Sequence, residues 1–172
     1  TVLLIIIYIA FISLGLPDSM LGAAWPTIRA DLSLPVAGAG LISMITSGGT
    51  IVSSMLSGKF LQKLGTGKVT LFSVSLTALA LLGFSFSSNY VWLCLMAVPL
   101  GLGAGAVDAA LNNFVALHFS ARHMSWLHSF WGVGATLGPV IMAVAISQSG
   151  VWQRGYRTVA MIQIGLVIIL LL

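Results

Sequence analysis

Residues 90–117 read YVWLCLMAVPLGLGAGAVDAALNNFVAL, a stretch of 28 positions with one charged side chain, Asp108. A helix needs about 20 apolar residues to cross a hydrocarbon layer of about 30 Å, and this run exceeds that. It is too long for a membrane β-strand and lacks the period-two alternation such a strand carries. The stretch therefore reads as a transmembrane helix that holds a carboxyl. Asp108 lies nine residues before its end, about 14 Å at helical rise, which puts the carboxyl near the bilayer midplane.

Outward from this helix the pattern repeats. Further apolar stretches run over residues 2–25 (ending at Pro26), 36–56, 69–86, 124–146 and 156–172, which makes six spans in all. Hydrophobic residues are 59% of the 172 positions, charged residues only 6%, and mean hydropathy is +1.11. A soluble domain carries about a quarter charged residues to keep its surface wetted. Here lipid is the solvent, and each backbone amide must bond internally. The fold class expected is all-α, a six-helix membrane bundle. Both ends of the chain fall inside hydrophobic segments, so it reads as part of a longer protein, with no signal-peptide pattern at its start.

The net charge of +4 comes from seven scattered Lys and Arg with no stripe for nucleic acid. The linkers carry them. Arg29 and Asp31 follow span one; Lys59, Lys63 and Lys68 separate two from three. Ser87, Ser88 and Asn89 separate three from four; His118, Arg122 and His123 separate four from five; Arg154 and Arg157 precede six. The tri-lysine linker is the densest basic cluster and sets that side, with the amino terminus, as cytoplasmic. The location implied is the plasma membrane, multi-pass.

An internal repeat is visible. Gly15-Leu16-Pro17-Asp18-Ser19-Met20-Leu21 and Gly105-Ala106-Val107-Asp108-Ala109-Ala110-Leu111 both read GxxDxxL, and they open the first and second groups of three spans. Two of the chain's three acids thereby occupy matching places. Repeats of three spans, about 1–88 and 89–172, have opposite orientations, as in transporters that build a central site between symmetry-related helices.

A carboxylate in lipid costs at least ~2.5 kcal/mol, so Asp18 and Asp108 should face protein or a water-filled cavity. No Lys or Arg lies within a span to hold either one ionised, which fits a reversible proton carrier. The bland alternatives are a hydrogen-bond hub at Asp108 and a cap at Asp18 where Pro17 breaks the helix. Asn112 stands one turn beyond Asp108 on the same face. Gly101 and Gly105 continue that face as small packing positions, and Asn113 points along another azimuth. Buried amides donate and accept at once, as hydroxyl recognition requires. His128 and Trp131, three apart, share a face that could hold a polar ring. Trp25, Trp92, Trp126 and Trp152, near predicted span ends, read as interface anchors.

Other signals carry less. Gly101 to Ala106 satisfies GxGxxA but follows no strand, so no dinucleotide site is expected. His118, His123 and His128, five apart, do not share a helix face, and no metal is expected. Cys94 reads as packing. No nucleophile–base–acid set is visible; neither an enzyme nor a cofactor is expected.

With these pieces in view, the chain resembles the amino-terminal half of a major facilitator superfamily transporter. Gly58-Lys59-Phe60-Leu61-Gln62-Lys63-Leu64-Gly65-Thr66-Gly67-Lys68 is similar to that family's GxxxDRxGxxx loop between helices two and three. Gly58, Gly65 and the basic Lys63 match, Gln62 stands where aspartate is usual, and Lys68 closes the segment. Gly134-Ala135-Thr136-Leu137-Gly138-Pro139 is similar to the GxxxGP motif of antiporter members. Gly103, Asp108, Asn112 and Phe114, with Leu127-His128-Ser129-Phe130-Trp131-Gly132, resemble helices four and five of the fucose permease group of sugar/proton symporters. Asp18 matches an acid in that group's first helix.

The resemblance implies proton-coupled symport of a sugar or similar small polar solute, with Asp108 and Asp18 carrying protons and Asn112, Asn113, His128 and Trp131 contacting the solute. It also implies a second six-helix half, either beyond residue 172 or as a second copy. The rival readings are an efflux antiporter for amphipathic compounds and a half-domain that serves only in folding or assembly.

Overall fold

A computed structural model describes residues 2–171. Its helices are α1 (Val2–Gly15), α2 (Met20–Asp31), α3 (Gly38–Ser85), α4 (Tyr90–His118), α5 (Ala121–Ser149) and α6 (Trp152–Leu171). Taking α1 with α2, five helical stretches are long and apolar enough to cross a membrane.

The 48 residues of α3 would measure about 72 Å if straight, more than twice a hydrocarbon layer. They are not straight. Gly65 has φ 77° and ψ 162°, a region essentially closed to any residue with a Cβ. Both arms of α3 lie against the same part of α4. A Cβ at Gly101 would strike the Thr46 carbonyl, and one at Gly103 would meet the carbonyl of Ser73 and the side chain of Thr77. Residues 46 and 77 flank Gly65 yet touch α4 two residues apart, so the chain reverses at Gly65. The tri-lysine linker expected over 58–68 is therefore corrected to a single non-helical residue. Lys63 and Lys68 sit exposed on the helical turns beside it, and Gly58 is exposed with open space around it.

The first span is also corrected: it is two helices, not one. Pro17 has no N–H to give the carbonyl of Ser13, and the chain makes tight turns over 16–19, with Asp18 N–H donating to Gly15 O at 3.2 Å and Met20 N–H to Pro17 O at 3.2 Å. The orphaned Ser13 carbonyl is met from outside the helix by Nε2 of Gln163, at 3.0 Å. Nor does Pro26 end a helix; it lies inside α2, which runs on to Asp31. Ser87, Ser88 and Asn89 do separate α3 from α4, but at two further linkers helix replaces expected loop: His118 closes α4, Arg122 and His123 lie in α5, and Arg154 and Arg157 lie in α6.

Packing follows two crossings of backbone on backbone. A Cβ at Gly134 or Gly138 would strike the carbonyls of Ile12 or Leu16, which brings α5 onto α1; Gly101 and Gly105 do the same for α4 on the amino-terminal arm of α3. The carboxyl-terminal arm of α3 packs on α6, where the Thr77 hydroxyl donates to Oε1 of Gln163 at 2.9 Å. Two apolar clusters fill the bundle, one around Trp25, Leu81, Phe84 and Tyr156 and the other around Phe11, Leu111, Val115 and Leu127. Cys94 is half-buried against the first.

Two tryptophans depart from the interface-anchor expectation. Trp25 and Trp152 are 6% and 1% exposed, and each indole is spent inside: Trp25 Nε1 donates to Val36 O at 3.0 Å and Trp152 Nε1 to Oδ2 of Asp31 at 3.0 Å. An indole has one polar atom, and burial is affordable once that atom is paired. Trp92 and Trp126 remain exposed.

Candidate functional site

The break between α1 and α2 positions the first acid. Because the backbone turns at Pro17, the Asp18 side chain leaves the helical face and stands exposed. Its Oδ2 accepts the indole N–H of Trp131 at 2.8 Å. Trp131 was expected as a platform for a ring; its N–H instead holds a carboxyl, while the residue stays 39% exposed.

Helix α4 positions the second acid. Asp108 is half-buried, and its Oδ1 accepts from Nδ2 of Asn112 at 2.9 Å; the same Nδ2 donates to the Asp108 carbonyl at 3.0 Å. The amide thus straps the carboxyl to its own helix, one turn on. His128 is exposed on α5, edge-on to Phe11 with ring centroids 6.2 Å apart. It lies within electrostatic reach of Asp108, and Asp18 lies within such reach of Asp108. Asn112, His128, Trp131 and the two acids therefore gather in one region. Asn113 does not join them; it is exposed on another side of α4.

A cavity of about 400 Å³ opens beside this cluster; Asp18 lines it, while Asp108, Asn112, His128 and Trp131 stand outside its wall. The break supplies Pro17, Asp18 and Leu21, the amino-terminal arm of α3 supplies a hydroxyl row, and α4 supplies Leu100 and Ala104. Ala104 is one turn before Asp108. The hydroxyl row is Ser43, Thr46, Ser47 and Thr50, spaced i, i+3, i+4, i+7 on one helix face. Thr46 and Thr50 spend their protons on the Ile42 and Thr46 carbonyls at 3.0 Å each, leaving oxygen lone pairs toward a guest.

Chemically, each acid has one oxygen held by a neutral donor, Trp131 or Asn112. A neutral donor does not fix the carboxyl as an anion the way a guanidinium does. Such a group can gain or lose a proton without breaking an ion pair.

The packing glycines lie behind the site. Gly134 and Gly138 close the α5–α1 crossing, Gly101 and Gly105 the α4–α3 crossing, and Pro139 is half-buried in α5 just past Gly138. Gly58, Lys63, Gly65 and Lys68 line none of the cavity.

Two features were not anticipated. The Ser43–Thr50 row could have been found as a polar stripe at helical spacing inside an apolar run. Gln163 could have been found as the one amide in the sixth span, since a buried amide in lipid must find partners. It does so twice, on Ser13 and Thr77.

Comparison with known proteins agrees with this architecture. A family model described as Major Facilitator Superfamily matches residues 7–172. Synaptic vesicle glycoprotein 2A of Rattus norvegicus and of Homo sapiens is 24% identical over 146 residues, 83% of this chain and 20% of the relative. Synaptic vesicle glycoprotein 2C of Rattus norvegicus is 26% identical over 137 residues, 77% of this chain and 19% of the relative. The chain spans about a fifth of the length of these relatives.

Proposed function

The chain belongs to the major facilitator superfamily, and from that premise we propose that it serves proton-coupled symport of a sugar or similar polar metabolite across the plasma membrane by alternating access. The observation that carries this is a pair of carboxyls held only by neutral donors: Asp18, in the wall of a hydroxyl-lined cavity and bonded to Trp131, and Asp108, bonded to Asn112 one turn past Ala104 of that wall. Protonation of Asp108 accompanies solute binding. Asn112 and His128, beside Asp108, contact the solute's hydroxyls, Asn113 is exposed on another side of α4, and Trp131 orients Asp18.

On this reading α3 is two spans joined at Gly65, which brings the count to six in two inverted repeats, about 1–88 and 89–172. The packing supports that symmetry. Gly15 and Gly105 head the two GxxDxxL segments; a Cβ at Gly15 would strike the Trp131 carbonyl of α5, and one at Gly105 the Thr50 carbonyl in the first arm of α3. Each matched glycine thus marks where its helix crosses the middle helix of the other repeat. The amino terminus lies in the cytoplasm, on the side of Lys59, Lys63 and Lys68. A second six-helix half, beyond residue 172 or from a second copy, completes the pathway around the solute.

The test is uptake in proteoliposomes under an imposed pH gradient. Asp108→Asn should abolish uphill accumulation while exchange persists; unchanged accumulation removes Asp108 from the mechanism. Efflux of amphipathic compounds is the second reading, favoured by the apolar share of the same cavity wall, Leu21, Ile42, Ile51, Phe84 and Leu100. The direction of solute movement on external acidification separates the two.

A further inference from the structure

The three carboxylates of the chain accept hydrogen bonds from Trp131, Asn112 and Trp152. Among the described residues none of them is bonded to the arginines at the head of α6. Arg154 and Arg157 are both exposed and, three apart, share one helix face. The Arg157 guanidinium lies over the Phe86 ring, 5.3 Å from its centroid, a contact that steadies it. The same face continues as Thr158, Met161 and Ile162, which with the two arginines form one open strip along α6. Farther along it Ile168 and Ile169 are exposed as well, while the opposite face of α6, with Tyr156, Val159 and Gln163, is buried in the bundle.

Charge above and hydrocarbon below specify the occupant. A spanning helix that begins at Trp152 places its first turns at headgroup depth. The guanidinium fork fits phosphate oxygens. A small soluble anion would use the arginines and gain nothing from Met161 and Ile162; a phospholipid uses both. A zwitterionic lipid brings its own cation against the arginines, so a net-anionic headgroup complements them best.

We infer that this face of α6 binds an anionic phospholipid, with its phosphate on Arg154 and Arg157 and an acyl chain along Met161 and Ile162. The site is independent of the solute pathway, because none of its residues lines the cavity beside Asp18.

Native mass spectrometry of the purified protein, titrated with dioleoylphosphatidylglycerol or dioleoylphosphatidylcholine, tests it. The wild type should prefer phosphatidylglycerol. Arg154→Gln with Arg157→Gln should erase that preference and weaken phosphatidylglycerol about thirtyfold, each basic side chain near the headgroups being worth about fivefold. Met161→Ser with Ile162→Ser keeps both cations at exposed positions and should weaken the same lipid, which guards against a fold defect in the arginine variant. Lys59→Gln with Lys63→Gln and Lys68→Gln should leave the arginine-dependent step intact. The inference is overturned if the preference survives loss of both arginines or if only the lysine variant loses it. It is also overturned if millimolar inorganic phosphate displaces the lipid, since the two arginines would then hold a free anion.

Discussion

The indole N–H of Trp131 reaches Oδ2 of Asp18 at 2.8 Å across 113 residues of sequence. The backbone of the same tryptophan is the surface against which Gly15 packs. One residue of α5 therefore touches the end of α1, to let the helices close, and the break that follows it, to orient the acid set free there.

That arrangement predicts how Trp131→Phe should behave. The ring volume is nearly kept, and the exposed Asp18 recovers water in place of the indole. Thermal unfolding in detergent should show a loss of about 1 kcal/mol, the net worth of one such hydrogen bond. Uptake should fall much further, because Asp18 loses its orientation. Equal loss of both would mean that Trp131 is only a packing residue.

The glycine crossings make a sharper contrast. Gly134→Ala and Gly138→Ala would place a methyl group on the carbonyls of Ile12 and Leu16, and overpacking of this kind costs about 1–3 kcal/mol. Gly22→Ala and Gly40→Ala have nothing within 4 Å of the new Cβ and should be neutral or stabilising by up to about 1 kcal/mol, since alanine is the better helix former. Unfolding midpoints of the four variants check this.

Gly65 is a conformational requirement instead of a steric one. No atom lies within 4 Å of a Cβ built there, yet φ 77° with ψ 162° costs another residue about 1–3 kcal/mol. Gly65→Ala should lower stability by that amount, while Gly58→Ala and Gly67→Ala, in helical turns with open space, should not. Comparable midpoints for all three would remove the reversal at Gly65.

Gln163 and Pro17 should be coupled. Gln163→Leu strands the Ser13 carbonyl, a loss of about 1–3 kcal/mol for a buried group left unpaired. Pro17→Ala restores an N–H to that carbonyl from within the helix. In a double-mutant cycle the Gln163 effect should shrink when Pro17 is gone; strict additivity would mean that the amide does not answer the proline.

Much of this was legible in the sequence because lipid imposes a simple rule. A run such as residues 90–117 has to be a spanning helix, and α4 begins and ends within a residue of that stretch. What escaped was set by tertiary contact. Pro17 announces a break, but only the packed bundle shows Asp18 swung out of the helix toward Trp131. Trp25 and Trp152 sit near ends, as anchors do, and nothing local reveals that Val36 and Asp31 pair their indoles and so let them be buried. The segment around Gly65 carries three lysines and three glycines, a loop composition, yet one glycine makes the whole turn and the rest remain helical. At the site, the Asp108–Asn112 spacing put both residues on one face of α4, but the bond between their side chains was not read from it. The hydroxyl row on α3 was readable as a polar stripe at helical spacing.

The central claim is that both acids face water within the bundle, and cysteine accessibility measures it most directly. In a Cys94→Ser background, Asp18→Cys and Asp108→Cys should each react with a charged, membrane-impermeant thiol reagent in intact proteoliposomes, and a Cys placed at Phe72, an exposed apolar residue of α3, should not. Acids that label only with a lipid-soluble reagent, or not at all, would contradict the account.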